Sequence, residues 1–179
     1  LLPGSALAAS HLLGLLSALA TVAATTLLAT ELFVASAHRR SLGLLAGGFA
    51  LCSLALLHFG RLAAWLPATA AGVTAAYLLL AGHRRQNRAL IAASGLLVAL
   101  ACTLDRSGLV FLFLLLLWWP SLPFDDGKRG RRHLFAWSAS VLLGLLPLLL
   151  SWLLNPQAAG VYLHAGQGGG AADWWGNLL

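Results

Sequence analysis

Six apolar runs, set apart by short polar breaks, leave this chain few ways to fold. They fall at about residues 11–36, 42–57, 62–82, 89–104, 108–122 and 134–154. A membrane-spanning helix takes about 20 mostly apolar residues, with a range of roughly 17–25. Lipid offers the backbone no hydrogen-bond partner, so only helices or closed barrels cross it. The runs are continuously apolar and lack the alternation of barrel strands, which favours helices. The expected fold is an all-α integral membrane protein of about six transmembrane helices with short loops, over residues 1–154. An external Gly- and Trp-containing loop or tail follows at 155–179. Composition agrees: 60% of the 179 residues are hydrophobic and 9% are charged, against about 25% charged in a soluble domain. The mean hydropathy is +0.86.

The net charge of +6 could point to nucleic acid. The basic residues argue otherwise, because they come in short clusters between apolar runs and form no continuous basic face. They behave as topology signals. Alternating the six helices puts Arg39, Arg40, Arg84, Arg85, Arg88, Lys128, Arg129, Arg131 and Arg132 on one side, and only Arg61 and Arg106 on the other. The positive-inside rule then makes the first side cytoplasmic. Trp118, Trp119 and Trp137 flank the third basic loop, as an interfacial aromatic belt would. Pro67 falls at the start of the third run, where a missing N–H is tolerated, and Pro147 predicts a kink in the sixth. Gly14 with Ala18, and Ala68 with Gly72, have the spacing that permits close helix contact.

Charge near hydrocarbon is expensive, so the outward group of His58, Arg61, Asp105 and Arg106 stands out. One reading makes Asp105 the cap of the fifth helix and a partner for Arg106, with Arg61 reaching lipid phosphate. The other joins Arg61, Arg106 and His58 around a shared phosphate, a task suited to the arginine fork. Glu31 lies near the inner end of the first helix, within reach of Arg39 or Arg40. His11, His38, His83, His133 and His164 make no metal-ligand pattern and are expected at polar interfaces. Cys52 and Cys102 are expected as buried free thiols. "GQGGGA" (Gly166–Ala171) follows no strand and opens no parallel-sheet unit, so it reads as a loop rather than a dinucleotide site. No nucleophile–base motif, metal site or cofactor site is apparent.

Several stretches carry a family likeness. They are "LLGLLSALATVAATTLLATELF" (Leu12–Phe33), "LALLHFGRLA" (Leu54–Ala63), the hairpin region Leu78–Trp119, and "LLPLLLSWLLNPQAAGVY" (Leu145–Tyr162). In order and spacing the chain resembles the central part of GT-C class membrane glycosyltransferases, of the dolichyl-phosphate-mannose protein mannosyltransferase and aminoarabinose transferase type. The resemblance implies transfer of a sugar from a polyprenyl-phosphate donor to a lipid or protein acceptor, on the external face of a bacterial cytoplasmic (inner) membrane. It implies that Arg61 contacts the donor phosphate. Topology extends that role to Arg106, beside Asp105 and His58. The family's catalytic carboxylate lies in an external loop that would precede Leu1, so the chain reads as an internal fragment without it. A divalent metal belongs to the complete enzyme if anywhere, and no residue here supports one. The expected partners are membrane lipid, the polyprenyl-linked sugar and its acceptor, with no nucleic acid. Two rivals remain: a non-catalytic membrane scaffold subunit, and a transporter segment. The second is disfavoured because the helix centres carry almost no charge.

Overall fold

The computed structural model describes residues 3–58, 66–121 and 127–155. They form α1 (Pro3–Leu32), α2 (Arg39–His58), α3 (Leu66–Arg84), α4 (Arg88–Leu104), α5 (Ser107–Trp118) and α6 (Gly127–Leu154), with a 3-10 turn at Trp119–Ser121 after α5. No strand occurs among the described residues. Three segments are long and apolar enough to cross a membrane: Leu12–Leu32, Leu66–Arg84 and Gly130–Leu154. The helices α4 and α5 are apolar but shorter.

The helices pack in the order α2, α1, α3, α4, α6, with α5 seated against α4 and α3. Glycines and other small residues fix both the closeness and the direction of these contacts. Gly43 and Gly47 of α2 face Thr30 and Thr26 of α1, so those two helices run antiparallel. Gly72 of α3 lies under the Phe111 ring of α5, and Gly108 of α5 rests on the Ala101 backbone of α4. Gly95 of α4 is so close to α6 that a Cβ there would stand 2.6 Å from the Trp137 carbonyl oxygen. Further along the same pair, Gly144 of α6 meets Ala99. The α4 and α6 contacts advance together, so these two helices are parallel. Of the two small pairs noted in the sequence, Ala68 and Gly72 lie in the packed centre, while Gly14 and Ala18 are only half-buried.

On α1 the large residues face out and small ones face in. On α1 the buried residues include Ser17, Thr21, Ala24 and Ala29, while Leu12, Leu13, Leu15, Leu16 and Leu19 are each more than half exposed. Hydroxyls that would be costly in an apolar setting bond to their own helix. The hydroxyls of Thr21, Thr25, Thr26, Thr74 and Ser140 each donate to the carbonyl four residues back, at 2.7–2.8 Å. The core lies between α3, α4, α5 and α6, around Leu79, Ile91, Val98, Cys102, Leu115, Trp119, Trp137 and Val141. On α6 it is served by one stripe, His133, Trp137, Val141 and Leu148, at helical spacing.

Several expectations need correction. The first helix ends at Leu32 rather than Ser36. The last begins at Gly127 rather than Leu134, because lysine and arginine are good helix formers and carry the helix past the end of its apolar run. Trp119 and Trp137 are buried and packed together at 5.8 Å, so they are core and not belt residues. Trp137 belongs to the inward stripe of α6, which sets its direction. His83 and His133 are buried as well, ring against ring at 6.3 Å in edge-to-face contact, because α3 and α6 converge there. Cys102 is buried, but Cys52 is exposed, and both are free thiols. Pro67 stands in the first turn of α3, as expected. Pro147 is carried inside a continuous α6.

Candidate functional site

The packing directions sort the chemistry to two ends. The C-terminal ends of α1 and α3 and the N-terminal ends of α2, α4 and α6 lie together. That end collects Glu31, Arg39, Arg40, Arg84, Arg85, Arg88, Arg131 and Arg132. The α4–α5 turn, with Asp105 and Arg106, lies at the other end.

At the arginine-rich end, Glu31 takes two partners. Arg84 donates to a Glu31 carboxylate oxygen at 3.1 Å and also to the Glu31 main-chain carbonyl, and Arg85 approaches the other carboxylate oxygen at 3.5 Å. The expected partners were Arg39 and Arg40. The difference follows from direction: α1 and α3 are parallel neighbours, so their C-terminal ends meet. The chain from α1 into α2 turns Arg39 and Arg40 elsewhere, and both are exposed. The α3–α4 turn is tight. Gln86 adopts a positive φ of 52°, and the Asn87 side chain caps α4 by accepting from the Ala89 and Leu90 amides.

The α4–α5 turn is tighter still. The Asp105 amide donates to the Ala101 carbonyl at 3.1 Å, closing α4. The Asp105 carboxylate accepts from the Ser107 amide at 3.1 Å, and its carbonyl accepts from the Gly108 amide at 2.9 Å. The Asp105 carboxylate thus reaches the first amide of α5, but the N-cap position is Arg106, which makes no side-chain cap bond, and Asp105 is instead the C-cap of α4. The expected Asp105–Arg106 ion pair is absent; the arginines paired with a carboxylate at the other end are Arg84 and Arg85, both on Glu31. Arg106 is exposed, while Asp105 is half-buried.

Register gives this turn its depth. With Ala99 opposite Gly144, Leu104 is level with Leu149, and α6 continues to Leu154. At 1.5 Å per residue the charged turn lies about 8 Å below the end of α6. Of the remaining residues expected at this site, His58 ends α2 but its side chain lies outside the described residues, and Arg61 lies outside them altogether. Of the four, Asp105 and Arg106 lie among the described residues, side by side on one turn.

One buried polar contact had no counterpart in the sequence reading. The Ser94 hydroxyl of α4 donates to the Ala75 carbonyl of α3 at 2.8 Å and accepts from the Trp137 indole N–H of α6 at 3.3 Å. A lone serine in an alanine-rich helix gives no signal of this, although a tryptophan on an apolar stripe does call for an acceptor. This contact ties three helices together and presents no group to a substrate.

No known protein family, curated protein or solved structure matches the chain.

Proposed function

We propose that this chain is a membrane-embedded helical bundle, the intramembrane part of a glycosyltransferase that moves a sugar from a polyprenyl-phosphate donor to a lipid or protein acceptor. Membrane placement is supported by the three long apolar segments, the outward leucines and the hydroxyls that bond within their own helices. In this reading the arginine-rich end faces the cytoplasm, by the positive-inside rule, and the Asp105–Arg106 turn faces outward.

The observation that carries the enzymatic part is the recessed turn. An arginine with no ion-pair partner among the described residues stands on a turn whose backbone lies about 8 Å below the end of α6, at the end opposite nearly all other arginines. In this reading a lipid-linked phosphate lies within reach of that turn. Arginine offers it a planar fork of donors. As the sugar leaves, negative charge grows on the phosphate, and a fixed cation there lowers the barrier. Asp105 holds the turn by its bonds to the Ser107 and Gly108 amides and so positions Arg106. The base that activates the acceptor is assigned to no residue of this chain.

Native mass spectrometry of the protein from its own membrane, in mild detergent, tests this reading. Retained polyprenyl phosphate, lost in Arg106→Ala, is the expected result. Transfer activity should fall by about two to three orders of magnitude, the usual effect of removing one transition-state donor. A retained protein partner with no polyprenyl lipid would instead make the chain a scaffold subunit. Unchanged transfer in Arg106→Ala would remove Arg106 from the site.

A further inference from the structure

Among the described residues the edge helix α2 packs chiefly against α1, and its far side carries a shallow, open apolar groove along one helix face. Ser41, Leu44, Leu45, Gly48, Phe49 and Cys52 line it, around a volume of about 470 Å³. Its wall is almost wholly apolar. Gly48 forms the floor: a Cβ there would meet nothing within 4 Å, whereas Gly47 next to it is pressed against Thr26 of α1. Leu44 and Phe49 stand up on either side, each at least 70% exposed.

We infer that this groove binds one anionic glycerophospholipid of the leaflet at the arginine-rich end, with the phosphate at Arg39, Arg40 and Ser41 and an acyl chain along Gly48. The inference rests on the membrane placement proposed above. Two observations favour this occupant. The first is charge. Arg39 and Arg40 stand exposed at the mouth and make no ion pair with a described residue, since Glu31 is taken by Arg84 and Arg85. Nor does α2 contain an acidic residue. The second is length. From Ser41 to Cys52 the helix rises about 16 Å at 1.5 Å per residue, which matches one leaflet, half of a hydrocarbon core of about 30 Å. Basic clusters at a helix end on the cytoplasmic side attract anionic headgroups by this same electrostatics. The site lies at the opposite end from the Asp105–Arg106 turn, so it is separate from the proposed donor site.

The test uses the full protein in nanodiscs of equal parts phosphatidylglycerol and phosphatidylcholine, with retained lipid counted by native mass spectrometry. Wild type should keep one phosphatidylglycerol. Gly48→Leu should lose it by filling the floor, with helix content unchanged by circular dichroism, because no described atom lies within 4 Å of a Cβ at that position. Arg39→Gln with Arg40→Gln should lose the preference for phosphatidylglycerol, by about fivefold for each arginine removed. Retention of both lipids in the proportion supplied, in all three proteins, would overturn the inference and leave the membrane placement standing. So would ready Cys52–Cys52 cross-linking between copies, which would show a second α2 in the groove. Extraction of the protein from its membrane by alkaline carbonate would overturn both.

Discussion

Two glycines of this bundle are expected to respond to alanine in opposite ways. A methyl group on Gly108 would run into the Ala101 main chain of α4. Backbone cannot turn aside as a side chain can, so α5 must move off α4. Gly108→Ala should lower stability by about 2–3 kcal/mol, at the upper part of the overpacking range. Gly48 is the contrast, because its Cβ position is empty. Gly48→Ala should leave stability unchanged or raise it by up to about 1 kcal/mol through helix propensity. Unfolding by SDS titrated into mild detergent micelles, followed by helix signal, measures both. Equal losses would mean that the helices are not packed at Gly108 as described. The sequence shows all these glycines but not which are contacts. Gly47 and Gly48 are neighbours of the same type, and only the position of α1 distinguishes them.

Among the helices, the Glu31 contacts make the most discriminating case. The pair with Arg84 is partly open to solvent, with 32% of the arginine side chain and 21% of the glutamate side chain exposed. Its contribution should therefore be small, below about 1 kcal/mol. A double-mutant cycle of Glu31→Gln with Arg84→Gln should return a coupling of about 0.5 kcal/mol. The same cycle with Arg40→Gln should return none. Coupling to Arg40 in place of Arg84 would mean that α1 and α3 do not end side by side. The positions of the helices were largely readable, but not all their ends: α1 begins at Pro3 rather than His11, and α5 ends at Trp118 rather than Leu122. Continuous apolar runs locate the middles of helices well, and the observed α4 differs by one residue at its start from the run expected at 89–104. The ends were harder. An apolar run ends at its first polar cluster, but a helix continues as long as its residues favour it, and α6 begins seven residues before its apolar run.

The arrangement of all six helices predicts which loops share a side. In a background of Cys52→Ser and Cys102→Ala, single cysteines at Ser36 and Gln86 should react with a membrane-impermeant maleimide from the same face. One at Arg106 should react only from the other face. Labelling of all three from one face would contradict the alternating bundle and the membrane placement together. The separation into a basic end and an opposite end follows from apolar spacing and charge alone. It depends only on how many times the chain crosses between clusters. The depth of the Asp105–Arg106 turn does not follow, because it depends on the register of α4 against α6. That register is set by Gly95 and Gly144 meeting the Trp137–Val141 backbone and Ala99.

The amino-acid order was enough for the helical class, the approximate helices and the sorting of charge to two ends. These depend on averages over many residues, where apolar transfer and backbone hydrogen bonding leave little choice. It was not enough for the inward side of each helix. In an ordinary soluble helix the large apolar residues mark that side, but here leucines cover nearly every side of α1 and α5. On α1 the inward positions are instead small or hydroxylated residues such as Ser17, Thr21 and Ala24, which look unremarkable in the sequence. Packing decided them: small residues let backbones approach and the α1 leucines were left facing out, while between α3, α4, α5 and α6 large residues such as Leu79 and Trp137 fill the core. The burial of Trp137, the meeting of His83 with His133 and the choice of Arg84 over Arg40 all follow from which helices became neighbours, and no local pattern encodes that.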